Sequence, residues 1–179
     1  MAKKANHIIP ECYVDTNILK TLLRVDGVNH QFGCNQVMSK LKNGKYSDSF
    51  AIGIIDDDKK KTYDYSDFET LSQSSHLRLM KHKTRSHYLI FVCKAAEDFL
   101  LSCATELSLN LSDYDLPLTL EGLKEVTKNC ESDRDPRIKK LVNAVRPSSE
   151  MARLERTIRY LQEKQYDVNV EELITVFRA

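Results

Sequence analysis

Glu11 and the run Asp56-Asp57-Asp58 are the residues whose types and spacing could do chemistry together. Glu11 closes a short apolar stretch, His7-Ile8-Ile9-Pro10, and the three aspartates close a longer one, Ser49 to Ile55. Two strands of one parallel sheet can bring their ends together however far apart they lie in sequence. Glu11, Asp56 and Asp58 would then surround one point, where like charges need a counter-cation or must take up protons. Oxygen ligands without His or Cys suit Mg²⁺ or Mn²⁺ rather than zinc. Magnesium binds through few carboxylates and is completed by water and substrate phosphates, so the chemistry expected is at a phosphoryl group.

The elements that must position these acids follow from hydrophobic spacing. His7 to Glu11 reads as a strand, and Ile18, Leu19, Leu22 and Leu23 as a helix that Gly27 should close. Val28 to Gln31 is expected to form a very short strand, and Val37, Met38 and Leu41 a second helix ending near Asn43-Gly44. Ser49 to Ile55 has no polar alternation, as a strand covered on both faces would. Lys59 to Ser75 is expected to be a loop with one helical turn around Phe68 and Leu71. His76 to Met80 and His87 to Val92 read as strands joined by a basic turn. Helices are expected over Ala95 to Leu109, Leu120 to Lys128, Arg137 to Val145, Ser149 to Lys164 and Val170 to Phe177, with Pro117, Pro136 and Pro147 between them. The fold class expected is α/β: a mostly parallel central sheet with helices on both faces, plus a C-terminal helical extension. Residues 1–110 would form the α/β core and residues 111–179 the extension packed on it. Ligands of such sheets gather at the carboxyl ends of the strands, where Glu11 and Asp56 are expected.

Two motifs carry a family resemblance: Ile8-Ile9-Pro10-Glu11-Cys12-Tyr13-Val14-Asp15 leading into Ile18-Leu19, and Gly53-Ile54-Ile55-Asp56-Asp57-Asp58. In order, spacing and strand context they resemble the TOPRIM pattern, as in small stand-alone and OLD-nuclease-like members, over residues 7–100. The resemblance implies a general acid or base role for Glu11 and magnesium binding by Asp56 and Asp58. It also implies additional acidic positions at Asp15 and Glu97, and Asp57 lies inside the same motif. Cys12 stands where the family usually has glycine, and Pro10 removes a backbone donor at the strand end. These departures leave open a non-catalytic TOPRIM-like module working with a partner protein. An alternative alignment puts Asp15 in the place of Glu11, with Tyr13-Val14 ending the strand, and Tyr13-Val14-Asp15-Thr16-Asn17 also resembles the opening of PIN-like nucleases, where a strand-end Asp starts a metal site.

Arg78, Lys81, Lys83 and Arg85, with His76, His82 and His87 among them, form the densest basic cluster and are expected to contact a DNA or RNA backbone. The bland reading is a solvated hairpin edge protected by its charges, and for Asp56 to Asp58 it is a solvated turn leading into three lysines. The formal net charge of +1 supplies no global field toward nucleic acid. Five cysteines, an odd number without a C-x-x-C pair, argue against a zinc site or a disulfide framework. No apolar run approaches the roughly 20 residues that span a bilayer, so no membrane partner and a cytoplasmic location are expected. No phosphate-binding glycine loop or nucleophile elbow occurs.

Overall fold

A computed structural model describes residues 3–57 and 64–179. A five-stranded sheet is built from β2 (Ile8–Pro10), β4 (Ala51–Asp57), β7 (His87–Cys93), β6 (Leu77–His82) and β5 (Phe68–Gln73), in that spatial order. Beside it, β1 (Lys4–Ala5) pairs in parallel with β3 (Gly27–Val28). β4 lies parallel to both β2 and β7, whereas β6 runs antiparallel to β7 and to β5. The sheet is therefore mixed rather than mostly parallel. The reason is the connections: β5, β6 and β7 are joined by turns too short for the crossover a parallel pair requires. Among the described residues, helical crossovers occur only before β4, through α1 (Tyr13–Leu23) and α2 (Cys34–Lys42).

β4 is apolar along its length because both of its faces are covered. Ile52 and Ile54 belong to one buried cluster, Ala51 and Ile55 to another. The first cluster takes in α1, α3 (Ala96–Glu106), α4 (Leu120–Thr127), α5 (Pro136–Val145), α6 (Ser149–Lys164) and α7 (Val170–Arg178). The second is closed by α2 through Cys34, Val37, Met38 and Leu41. Helices thus cover both faces, as expected. The C-terminal helices share one core with the sheet, since Ile138, Val142, Leu154 and Ile158 lie in the same cluster as Ile54 and Ile90. Hydrogen bonds reinforce this union. Arg159 Nη2 donates to the Leu22 carbonyl at 2.8 Å at the end of α1, and Asn17 Nδ2 donates to Ser132 O at 2.8 Å and Asp135 O at 3.1 Å.

Two local expectations are corrected. Phe68–Gln73 is a strand, not a helical turn in a loop. A bulge between Thr70 and Ser72 breaks the alternation of this edge strand and leaves Phe68 and Leu71 at a spacing that mimics a helix. The first helix ends at Arg24, not Gly27. Arg24 takes the left-handed conformation (φ 54°, ψ 50°), and Val25 N donates back to Lys20 O at 3.1 Å, with Val25 buried against the core.

Candidate functional site

The carboxyl ends of β2, β4 and β7 lie side by side, and the acids of interest sit there. The Glu11 amide donates to Ile54 O at 3.1 Å, extending the β2–β4 ladder one residue past Pro10. Ile52 N donates to His7 O at 2.8 Å, so the odd residues of β2 face β4 and the N–H that Pro10 lacks would point the other way. On that outer edge Asn29 N and Gln31 N donate to Ile8 O and Pro10 O, both at 2.9 Å. Residues 29–31 thus run alongside β2 beyond the end of β3 at Val28. Pro10 costs the main sheet nothing.

Glu11 is buried, and its carbonyl accepts from Gly33 N at 3.0 Å. Gly33 opens α2 at φ 94°, a conformation that favours glycine. Cys12 needs no such freedom: it is the extended N-cap of α1 (φ −136°, ψ 170°). Its Sγ accepts from Asp15 N at 3.3 Å and its thiol donates to Asp15 Oδ2 at 3.0 Å. Burial first, then the Asp15 and Asp56 carboxylates, push the Cys12 thiol well above its ordinary range. Asp15 is buried in the first turn of α1, where the helix dipole favours a carboxylate. Tyr13 and Val14 are the first residues of that helix, so the alternative in which they end a strand at Asp15 is overturned.

Strand alternation separates the members of the aspartate run. Asp56 pairs with Val92 and follows Ile54 onto the face of α1 and α3, while Asp57 pairs with Cys93 and follows Ile55 onto the face of α2. There Arg78 Nη2 lies 3.3 Å from Asp57 Oδ1, with its guanidinium 4.2 Å from the Phe91 ring centroid. Asp58 lies outside the described residues. Glu97, in the first turn of α3 just after β7, accepts a hydrogen bond from Thr127 Oγ1 at 2.5 Å. It shares the wall of a cavity of about 320 Å³ with Cys12, Tyr13 and Lys124. Glu11, Asp15, Asp56 and Glu97 thus come from different segments to one end of the sheet. Among the described residues, no three His, Cys, Asp or Glu side chains are placed to hold a metal ion together.

The basic cluster is divided. Arg78 is at the carboxylate end, but Lys81 pairs with Tyr88, four residues back along β7 from Val92, roughly 13 Å away. Lys83 and Arg85 lie beyond it in the turn. Lys81 Nζ donates to His82 O and Lys83 Nζ to Ser66 O, so the hairpin uses these side chains locally. The histidines serve structure too: His82 Nδ1 accepts the Arg85 amide at 3.1 Å, and buried His87 donates from Nε2 to Tyr46 O at 2.6 Å. Cys34 and Cys103 are buried, Cys12 and Cys93 half-buried, and Cys130 exposed. No helix among the described residues is long and apolar enough to cross a membrane.

Sequence reasoning missed an aromatic group beside the carboxylates. Tyr13 stacks on His30 at 4.5 Å between centroids, and Phe32 stands edge-on to both. Spacing carries no signal for it; the pairing of residues 29–31 along β2 brings His30 and Phe32 to the start of α1. No family model matches the chain, and neither a curated protein nor a solved structure is significantly similar to it.

Proposed function

We propose that this protein carries out divalent-metal-dependent phosphodiester chemistry on DNA or RNA as a nuclease of the TOPRIM-like kind, with Glu11, Asp56 and Asp58 as its acidic centre. The observation that carries this reading is the hydrogen bond from the Glu11 amide to Ile54 O, which sets the ends of two parallel strands, each closed by carboxylates, side by side. Ligands of parallel α/β sheets collect at that end. The donors are hard carboxylate oxygens, the chemistry that Mg²⁺ or Mn²⁺ selects. Glu11, Asp56 and Asp58 would hold the cation, which supplies charge stabilisation at a phosphoryl oxygen.

The chain's own groups have distinct tasks in this reading. Glu11 stands at the strand end as the proton-transfer group. Asp15 and Glu97 flank it from the first turns of α1 and α3 and add to the local negative charge. Arg78, held against Phe91 and Asp57, offers a guanidinium to a backbone phosphate at the same end of the sheet. Lys81, Lys83 and Arg85 would touch only a nucleic acid long enough to run along the sheet.

The test is cleavage of single- and double-stranded DNA and RNA with Mg²⁺ or Mn²⁺, comparing wild type with Glu11→Gln and Asp56→Asn. Metal-dependent cleavage lost in both variants supports the reading, and cleavage retained in both refutes it. One observation favours a second reading, a non-catalytic module acting with a partner protein: Asp15 is engaged by the Cys12 thiol and Asp57 by Arg78. A fully inactive wild type that binds no cation decides for that reading.

A further inference from the structure

We propose that Tyr13, His30 and Phe32 form a stacking platform for an unpaired nucleobase, so that the substrate of the strand-end carboxylates is single-stranded nucleic acid. This rests on reading those carboxylates as a phosphodiester site.

The platform is anchored below and open above. Tyr13 and His30 stack with an interplanar angle of 16°, and Phe32 meets the His30 ring at 4.9 Å between centroids while remaining 66% exposed. Thr16 Oγ1 has one proton and donates it to Cys12 O at 2.9 Å. A contact of 2.9 Å also joins Thr16 Oγ1 to His30 Nδ1 and holds the imidazole in place. His30 Nε2 is shielded from solvent and without a hydrogen-bond partner in the described structure.

Its position ties it to the carboxylates. Tyr13 directly follows the Cys12 cap and borders both the cavity holding Glu97 and a cleft of about 740 Å³ lined by Asn129, Ser132, Asp133 and Arg134. Phe32 precedes Gly33, whose amide donates to the Glu11 carbonyl. The segment that presents Glu11 and Asp15 therefore also presents Tyr13, and the segment hydrogen-bonded to Glu11 presents Phe32. The charged cleft wall speaks against an apolar helix as occupant, since burying those groups without partners is costly. A nucleotide combines a π-face for the platform, a polar edge for the cleft and a phosphate for Arg134, whose guanidinium lies 3.4 Å from Asp133 Oδ1 while the side chain stays 82% exposed. Duplex bases hide their faces within the stack, so a platform of this kind selects unpaired ones.

The chain contains no tryptophan, so Phe32→Trp installs a single reporter at the platform. Full-length protein is titrated, with EDTA present, against fluorescein-labelled single strands of about 20 nucleotides and the matching duplex. Wild type is expected to prefer the single strand. Phe32→Ala should weaken that binding roughly 5- to 100-fold, the loss of one base stack, and leave duplex binding unchanged. Phe32→Trp should retain affinity, with its emission quenched on binding. Unchanged single-strand affinity in Phe32→Ala, or no binding by wild type, overturns the proposal; an unquenched tryptophan that binds normally overturns it as well. Asp56→Asn separates the two ideas. Asp56-dependent cleavage with Phe32-independent binding leaves the site standing without the platform, and Phe32-dependent binding without cleavage does the reverse.

Discussion

Cys12 and Asp15 cap the first helix reciprocally: the Asp15 amide donates to Cys12 Sγ at 3.3 Å, and the thiol donates to Asp15 Oδ2 at 3.0 Å. The arrangement differs from a capping box in its second bond: Asp15 accepts from the Cys12 thiol rather than from the Cys12 backbone N–H. It fixes the chain between Glu11 and α1, and hence the direction in which the strand end delivers its carboxylate.

Replacing Cys12 therefore tests the cap. Cys12→Ala should destabilise the protein by about 1 kcal/mol, the usual cost of losing a cap, while Cys12→Ser, a better N-cap, should match or exceed wild type. Urea denaturation of the three proteins reads this directly. A Cys12→Gly variant more stable than Cys12→Ser would show that the residue's role is backbone freedom instead.

Gly53 sets how closely α2 approaches the strand that ends in Asp56. A Cβ built there would lie 2.7 Å from Leu89 Cδ2, 3.0 Å from Val37 Cγ1 and 3.2 Å from Leu41 Cδ1. Gly53→Ala should cost about 1–3 kcal/mol through overpacking, despite the better intrinsic fit of alanine to a strand. Thermal denaturation checks it; an unchanged or raised melting temperature would mean that α2 is free to move away.

Stability should fall with acid because of buried histidines. Burial lowers the His87 pKa below 6.5, partly offset by its hydrogen bond to Tyr46 O, with Arg85 lowering it further. A depressed folded pKa gives stability that is full above the unfolded value of about 6.5 and is lost as pH falls through the folded value. His7, His30 and His82 are lowered in the same direction, also chiefly by burial. His87→Gln, whose amide can still donate to Tyr46 O, should flatten the decline of the urea midpoint between pH 7 and 5 without abolishing it. A variant with the wild-type slope would remove His87 from the account.

Where one residue type and one period dominated, the sequence was readable. Ser149–Lys164 and the apolar run before Asp56 appear where spacing puts them, because an amphipathic face and a doubly covered strand leave unambiguous patterns. The bulged edge strand Phe68–Gln73 was not readable, since half of its residues face solvent and the bulge destroys the alternation. The order of β5, β6 and β7 was hidden for a related reason: turn lengths, not strand composition, make that part of the sheet antiparallel. Glu11 and Asp56 stand at the ends of β2 and β4, as expected, because strand ends are visible in sequence. Asp57 was drawn in by adjacency, but alternation carries it to the other face and to Arg78. Lys81, Lys83 and Arg85 looked like one cluster with Arg78 because charge density in sequence carries no information about which end of a hairpin a residue occupies.

The central claim is an acidic cation site at the ends of β2 and β4, and cation binding tests it most directly. Mn²⁺ is titrated calorimetrically into wild type, Glu11→Gln and Asp56→Asn, each first shown to be folded by circular dichroism. The account predicts saturable binding by wild type and at least about tenfold weaker binding in each variant, the loss expected when one anionic oxygen ligand is neutralised. Equal affinity in all three proteins, or no binding by wild type at millimolar metal, would contradict it.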